Sequence, residues 1–229
     1  MAASTPRHAV ITGVSSGIGR AIALRLLQEG WQVTGLCRSQ PADTHERLRI
    51  VQADVADPAH IDAACAGIGR LDALVHAAGF MRTAPLGELD AEASQGMWQV
   101  HVQAAERLAN QLVGRMNDGG RIVLVGSRVA IGAPTRSQYA ATKAALVGMA
   151  RSWAAELAPR GITVNVLAPG ATDTPFLRDP ARAQTPPRMP PIGRLVRPEE
   201  VAGMAAFLVG PEGGAITGQQ IVMCGGASL

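Results

Sequence analysis

Short apolar runs alternate with longer stretches of helical spacing along the whole chain. Residues 8–12, 31–37, 48–53, 71–76, 121–126, 161–167 and 219–223 are rich in Val, Ile and Leu. Near-continuous runs of that kind predict strands covered on both faces. Between them, 17–28, 91–117, 139–157 and 198–209 have helical spacing, and 58–66 is a shorter, weaker helix. The alternation predicts an α/β fold, a doubly wound parallel sheet with helices on both faces, formed by one domain over 1–229. Segment 39–47 is too short and polar for a helix. Segment 169–198 is dense in proline and carries Arg178, Arg182, Arg188 and Arg194. It cannot be helical throughout, and a loop of that length in a compact domain predicts a substrate lid over about 170–197.

Composition narrows the class. Hydrophobic residues make up 47% and charged residues 17% of 229 positions, which fits a globular chain. Aromatics are only 3%, so small aliphatic side chains must fill the core. The net charge of +3 is spread out, with no basic stripe for nucleic acid. Residues 1–12 lack the apolar run of a signal peptide, and nowhere do 18 apolar residues follow one another, so no membrane partner is expected. Cys37, Cys65 and Cys224 are too few and too scattered for a disulfide framework or zinc site, and suit a reducing cytoplasm. His8, His45 and His60 have no partner at ligand spacing, so no metal is expected.

Two singletons change the picture more. The chain has one tyrosine, Tyr139, and one lysine, Lys143, against 20 arginines. Four residues apart on a helix, they share a face. A free phenol titrates near 10, and a nearby cation lowers that value, so the pair suits proton exchange at neutral pH. Ser127 follows the fifth strand, at the sheet edge where doubly wound folds place their sites, and its hydroxyl could hydrogen-bond a substrate carbonyl.

The turn Thr12-Gly13-Val14-Ser15-Ser16-Gly17-Ile18-Gly19 links the first strand to the first helix. Glycines there let backbone approach a pyrophosphate at a helix start, although the spacing is Gly-x3-Gly-x-Gly rather than GxGxxG. After the second strand an NAD site would carry an acid, and this chain has Arg38. A guanidinium suits the 2′-phosphate of NADP(H); it also suits a solvated strand end. NADP(H) is thus favoured over NAD(H).

With these residues the chain resembles the short-chain dehydrogenases/reductases, notably the 3-oxoacyl-carrier-protein reductases, over nearly its whole length. Further matches are Asp54-Val55, Ala77-Ala78-Gly79 after His76, Asn165, Pro169-Gly170, Thr174 and Gly225-Gly226. The resemblance implies strand order 3-2-1-4-5-6-7 and a nicotinamide cofactor held by Gly13, Ser15, Ser16, Gly17, Ile18, Gly19, Arg38, Asp54, Val55, Ala77, Ala78, Gly79, Pro169, Gly170, Thr172 and Thr174. It also implies a tyrosine acid–base (Tyr139), a lysine that holds the nicotinamide ribose (Lys143), and a carbonyl-orienting serine (Ser127). Departures are His76 and Ala77 where the family has two asparagines, Cys224 for an aspartate, and His101 where a helix asparagine holds a relay water. His101 either takes over that relay or fills the helix interface.

The function expected is an NADP(H)-dependent ketone reductase or secondary-alcohol dehydrogenase, best a 3-oxoacyl thioester reductase, working as a homodimer or homotetramer on a small-molecule carbonyl or acyl thioester. Arg128 and Arg136 near the site, with the arginines of 169–198, could meet a phosphopantetheine arm, coenzyme A or an acidic carrier protein; they also suit plain surface charge. The alternatives are an NAD-linked dehydrogenase of a small or cyclic alcohol, and a nucleotide-binding sensor or scaffold with impaired chemistry.

Overall fold

A computed structural model describes residues 6–180, 185 and 188–229. Arg182, and most of the proposed lid's centre, lie outside the described residues.

Seven strands form one parallel sheet: β1 (His8–Thr12), β2 (Gln32–Cys37), β3 (Leu48–Gln52), β4 (Leu71–His76), β5 (Met116–Val125), β6 (Thr163–Pro169) and β7 (Gln220–Met223). Their order is β3-β2-β1-β4-β5-β6-β7. Helices α1 (Gly17–Gln28) and α6 (Pro198–Val209) cover one face; α2 (Pro58–Ala66), α4 (Ala104–Leu112) and α5 (Ser137–Leu157) cover the other. The strand pleat explains the near-continuous apolar runs. Val10 packs toward Leu108 and Leu146, whereas its neighbours Ala9 and Ile11 pack toward Ile22 and Leu26. Ile122 and Leu124 divide from Val123 and Val125 in the same way. Successive side chains point to opposite faces, so a strand buried on both needs no polar alternation.

Local chemistry sets the helix starts. The Asp57 carboxylate accepts from Ala59 N at 2.8 Å ahead of Pro58, and Asp90 accepts from Glu92 N and Ala93 N to open α3 (Ala91–Trp98). At α6 the Glu200 carboxylate reaches back to Arg197 N at 2.8 Å. Arg194 grips the same carboxylate at 2.7 and 2.8 Å, and those bonds hold it down to about 2.

The long helix expected over 91–117 is a correction. It divides into α3, a π-helical turn (Gln99–Gln103), α4 and a short 3-10 turn (Val113–Arg115), and Met116 already belongs to β5. The π turn adds one residue within a chain that stays helical on both sides, a shift too small for sequence spacing to mark the break. No helix forms over 39–47; Asp43 of that loop is tied to α1 by Arg20 at 2.6 and 2.7 Å. Among its described residues the loop after β6 contains a 3-10 turn (Pro175–Arg178) and a bridge between Thr172 and Val196. Among the described residues no helix is long and apolar enough to cross a membrane.

Candidate active site

A cleft of about 1300 Å³ runs along the C-terminal edge of the sheet, and every site residue proposed from the sequence lines it. The strand order reverses between β1 and β4, so loops from the two halves splay apart there, which is where open α/β sheets take ligands.

One end is a backbone cradle. Gly13 has φ +75°, and a Cβ on it would stand 3.0 Å from Ala78 N and Cα. A Cβ on Gly19 would stand 2.4 Å from the Gly13 carbonyl oxygen, so no side chain fits. The start of α1 carries no anion of its own: Ser16 makes no side-chain cap, and the first turn holds no acid. Free N–H groups at an open helix start fit a diphosphate. Thr12 locks the cradle to β4. Its Oγ1 accepts from Ala77 N and Ala78 N, both at 3.0 Å, and donates to His76 Nδ1 at 3.0 Å. Ser15, Gly17 and Ile18 complete the loop, Arg38 stands exposed just past β2, and Asp54 and Val55 follow β3. Gly79, Pro169, Gly170, Thr172 and Thr174 line the wall toward the middle of the cleft.

The other end holds Ser127, Tyr139, Lys143 and His101, all buried. Ser127 Oγ accepts from Val129 N at 3.2 Å, which leaves its O–H proton for a ligand. Lys143 Nζ lies 5.7 Å from the Tyr139 ring centroid and donates to Val125 O at 2.9 Å. Burial lowers the ammonium to about 7.

The histidines that replace the expected asparagines brace this end. In the π-helical turn, Ala104 N reaches back five residues to Gln99 O rather than to Val100 O. The Val100 carbonyl instead accepts from His76 Nε2 at 2.9 Å. His101 Nε2 accepts from Phe80 N at 3.2 Å, so its proton sits on Nδ1 and is donated to Thr142 Oγ1 at 2.8 Å. Thr142 passes its own proton to Tyr139 O at 2.8 Å. Both ring nitrogens of His101 are therefore engaged by protein. Burial, then the Lys143 charge, pushes His101 well below the usual histidine value and His76 down to about 4. Each ring stays neutral near pH 7.

Asn165 stands apart from this chemistry. Its amide donates to Ile216 O at 2.6 Å and its oxygen accepts from Gln219 N at 3.1 Å, tying β6 to the approach of β7. Cys37, Cys65 and Cys224 are buried free thiols. Sequence reasoning missed Thr12 and Thr142 as linkers, because nothing in their spacing marks which partners the fold will supply. It also missed Phe80, Met81 and Arg82, which bring a wall of the cleft from the loop after β4.

Known proteins resemble this chain over nearly its whole length. The family model described as "Enoyl-(Acyl carrier protein) reductase" matches residues 13–228. The chain is 34% identical to the 3-oxoacyl-[acyl-carrier-protein] reductase of Vibrio cholerae, over 95% of this chain and 96% of that one. It is 36% identical to the 2,3-dihydro-2,3-dihydroxybenzoate dehydrogenase of Escherichia coli, over 96% of each. A solved short chain dehydrogenase from Burkholderia cenocepacia, in complex with NADP, superposes with TM-score 0.83 and 36% identity over 97% of this chain and 98% of that one. Other solved neighbours carry NADPH or NADH. With a family match over nearly its full length, this sheet order and these relatives, the chain belongs to the short-chain dehydrogenase/reductase family of NAD(P)-dependent oxidoreductases.

Proposed function

We propose that the chain is an NADP(H)-dependent reductase of a ketone, or the reverse secondary-alcohol dehydrogenase, with 3-oxoacyl thioesters the favoured substrate class. The observation that carries this reading is the meeting of Ser127, Tyr139 and Lys143 in one cleft with the glycine cradle. The 34% identical 3-oxoacyl reductase supports the substrate class.

The nicotinamide supplies or accepts the hydride. In our reading the Ser127 hydroxyl donates to the substrate carbonyl and fixes its oxygen beside the Tyr139 phenol. As the carbonyl carbon gains hydride, Tyr139 O–H gives its proton to the developing alkoxide, and oxidation runs the same transfer backwards. Lys143 one turn away favours the phenolate electrostatically and holds the nicotinamide ribose. Gly13, Ser15, Ser16, Gly17, Ile18 and Gly19 hold the diphosphate, and Asp54 and Val55 the adenine. Ala77, Ala78, Gly79, Pro169, Gly170, Thr172 and Thr174 flank the nicotinamide half, and Arg38 meets the 2′-phosphate. His101 and His76 position the π-helical turn behind Lys143. Trp98 at the end of α3 and Leu89 just ahead of that helix remain about two-fifths exposed, which supports a homodimer or homotetramer. Three buried thiols fit a reducing cytoplasm.

A second reading, NAD-linked oxidation of a cyclic alcohol, is favoured by the 36% identical dihydrodiol dehydrogenase. A turnover screen of ketones, acyl thioesters and cyclic alcohols, with NADPH and NADH side by side, separates the two. Tyr139→Phe is expected to lose at least about a hundredfold in kcat with cofactor affinity nearly kept. Near-native turnover in that variant would refute the acid–base assignment.

A further inference from the structure

The substrate end of the cleft has an electrostatic feature that ketone reduction alone does not require. Arg128 follows Ser127 in a 3-10 turn (Arg128–Ile131), Arg136 is the residue preceding α5, and Arg188 comes from the loop after β6. All three line the cleft together with Ser127 and Tyr139. They are close enough that the charges of Arg128 and Arg188 both act on Arg136. The Arg136 Nε is buried and makes no hydrogen bond.

No described carboxylate neutralises this group. Asp179, on the same wall, is taken by Arg82 at 3.1 Å, and Asp173 by Arg178 at 2.9 Å. Three like charges around a half-enclosed cleft repel one another, and a buried donor without a partner costs free energy. A ligand anion removes both costs together, and a guanidinium fork matches a carboxylate with two parallel N–H bonds. Position along the chain limits where that anion lies. Arg136 stands three residues before Tyr139, at the mouth of α5, and the Tyr139 phenol acts electrostatically on its guanidinium. An anion on Arg136 therefore lies at the same end of the cleft as a carbonyl held by Tyr139 and Ser127. The diphosphate of a coenzyme A or phosphopantetheine arm lies many bonds from its acyl carbonyl.

We infer that Arg136, with Arg128 and Arg188, forms a carboxylate subsite, and that the site also takes a compact oxo acid, or its hydroxy acid, whose carboxylate lies near the reacting carbon. This rests on Tyr139 and Ser127 marking the reacting end. It goes beyond the thioester class favoured above by adding substrates whose recognised charge lies beside the reacting carbon.

The probes are levulinate, its methyl ester and acetoacetyl-coenzyme A, measured with NADPH and NADH as kcat/KM, and as Kd on the protein saturated with oxidised cofactor. Charge-assisted bonds predict levulinate over its ester by at least about tenfold in each measure. Arg136→Gln is expected to bring that ratio close to one, and Arg128→Gln to lower it, with circular dichroism confirming that both variants fold. Arg25→Gln, an exposed arginine on α1 outside the cleft lining, should leave the ratio unchanged. Equal binding of acid and ester, or a ratio insensitive to both cleft variants, would overturn the subsite. An acetoacetyl-coenzyme A rate that falls with Arg136→Gln as steeply as the levulinate rate would assign the cluster to the coenzyme phosphates instead. If the acid is preferred in binding while no ketone is reduced with either cofactor, the subsite stands and the reductase reading fails.

Discussion

Lys143→Met should make the cofactor-free protein more stable, and more so at low pH. Lys143 is 4% exposed, burial is the cause that lowers its amine from 10.5 to about 7, and the amine donates to Val125 O. A lysine whose folded value is depressed binds fewer protons folded than unfolded between those two values, so stability rises with pH across that window. At about pH 6 the penalty is close to its full size, roughly 3.5 pH units at about 1.4 kcal/mol each, or on the order of 5 kcal/mol. At about pH 9 only the last 1.5 units or so remain, on the order of 2 kcal/mol. Methionine has a similar length and no charge to desolvate, so the variant escapes the penalty and loses only the Val125 contact. The stability difference between variant and native protein should thus shrink by about 3 kcal/mol from pH 6 to pH 9. Urea unfolding of both proteins at the two pH values measures it, and titrating groups away from Lys143 cancel in the comparison. A difference that stays flat to within about 1 kcal/mol would refute the reasoning, because Lys143 would then titrate as though exposed.

Arg38→Ala should weaken NADPH by about tenfold or more and leave NADH nearly unchanged, since only the former carries a 2′-phosphate; equal native affinities in a fluorescence titration would sink the NADP preference. Gly19→Ala should raise the dissociation constant for either cofactor by at least about tenfold without unfolding the chain, because the new methyl meets the Gly13 carbonyl oxygen at 2.4 Å and must displace the cradle. His101→Ala should slow turnover by about tenfold while His101→Asn keeps much of it, as an amide can still bond Phe80 N and Thr142. The native kcat–pH profile should show no step attributable to His101 between about pH 6 and 8; a step there that His101→Asn removes would show the ring titrating, against the neutral state its burial favours.

The sequence alone determined the parallel sheet, the glycine cradle and the tyrosine–lysine pair, for physical reasons visible in particular residues. Strands buried on both faces must be apolar throughout, so β1, β4 and the end of β5 declare themselves as Val, Ile and Leu runs. A backbone that must pass within touching distance of another needs glycine, which marks Gly13 and Gly19. One helical turn separates Tyr139 from Lys143, so their shared face follows from spacing. What only the tertiary structure decided are contacts between segments far apart in the chain. The π-helical turn depends on His76 meeting Val100 O across 24 residues, and the setting of His101 on Thr142 and Phe80. The burial that drives Lys143 to about 7, and the gathering of Arg128, Arg136 and Arg188 around one wall, depend likewise on how separate elements pack. Periodicity and spacing report what neighbours along the chain impose; hydrogen-bond partners and local dielectric are set by whichever segments the fold brings alongside.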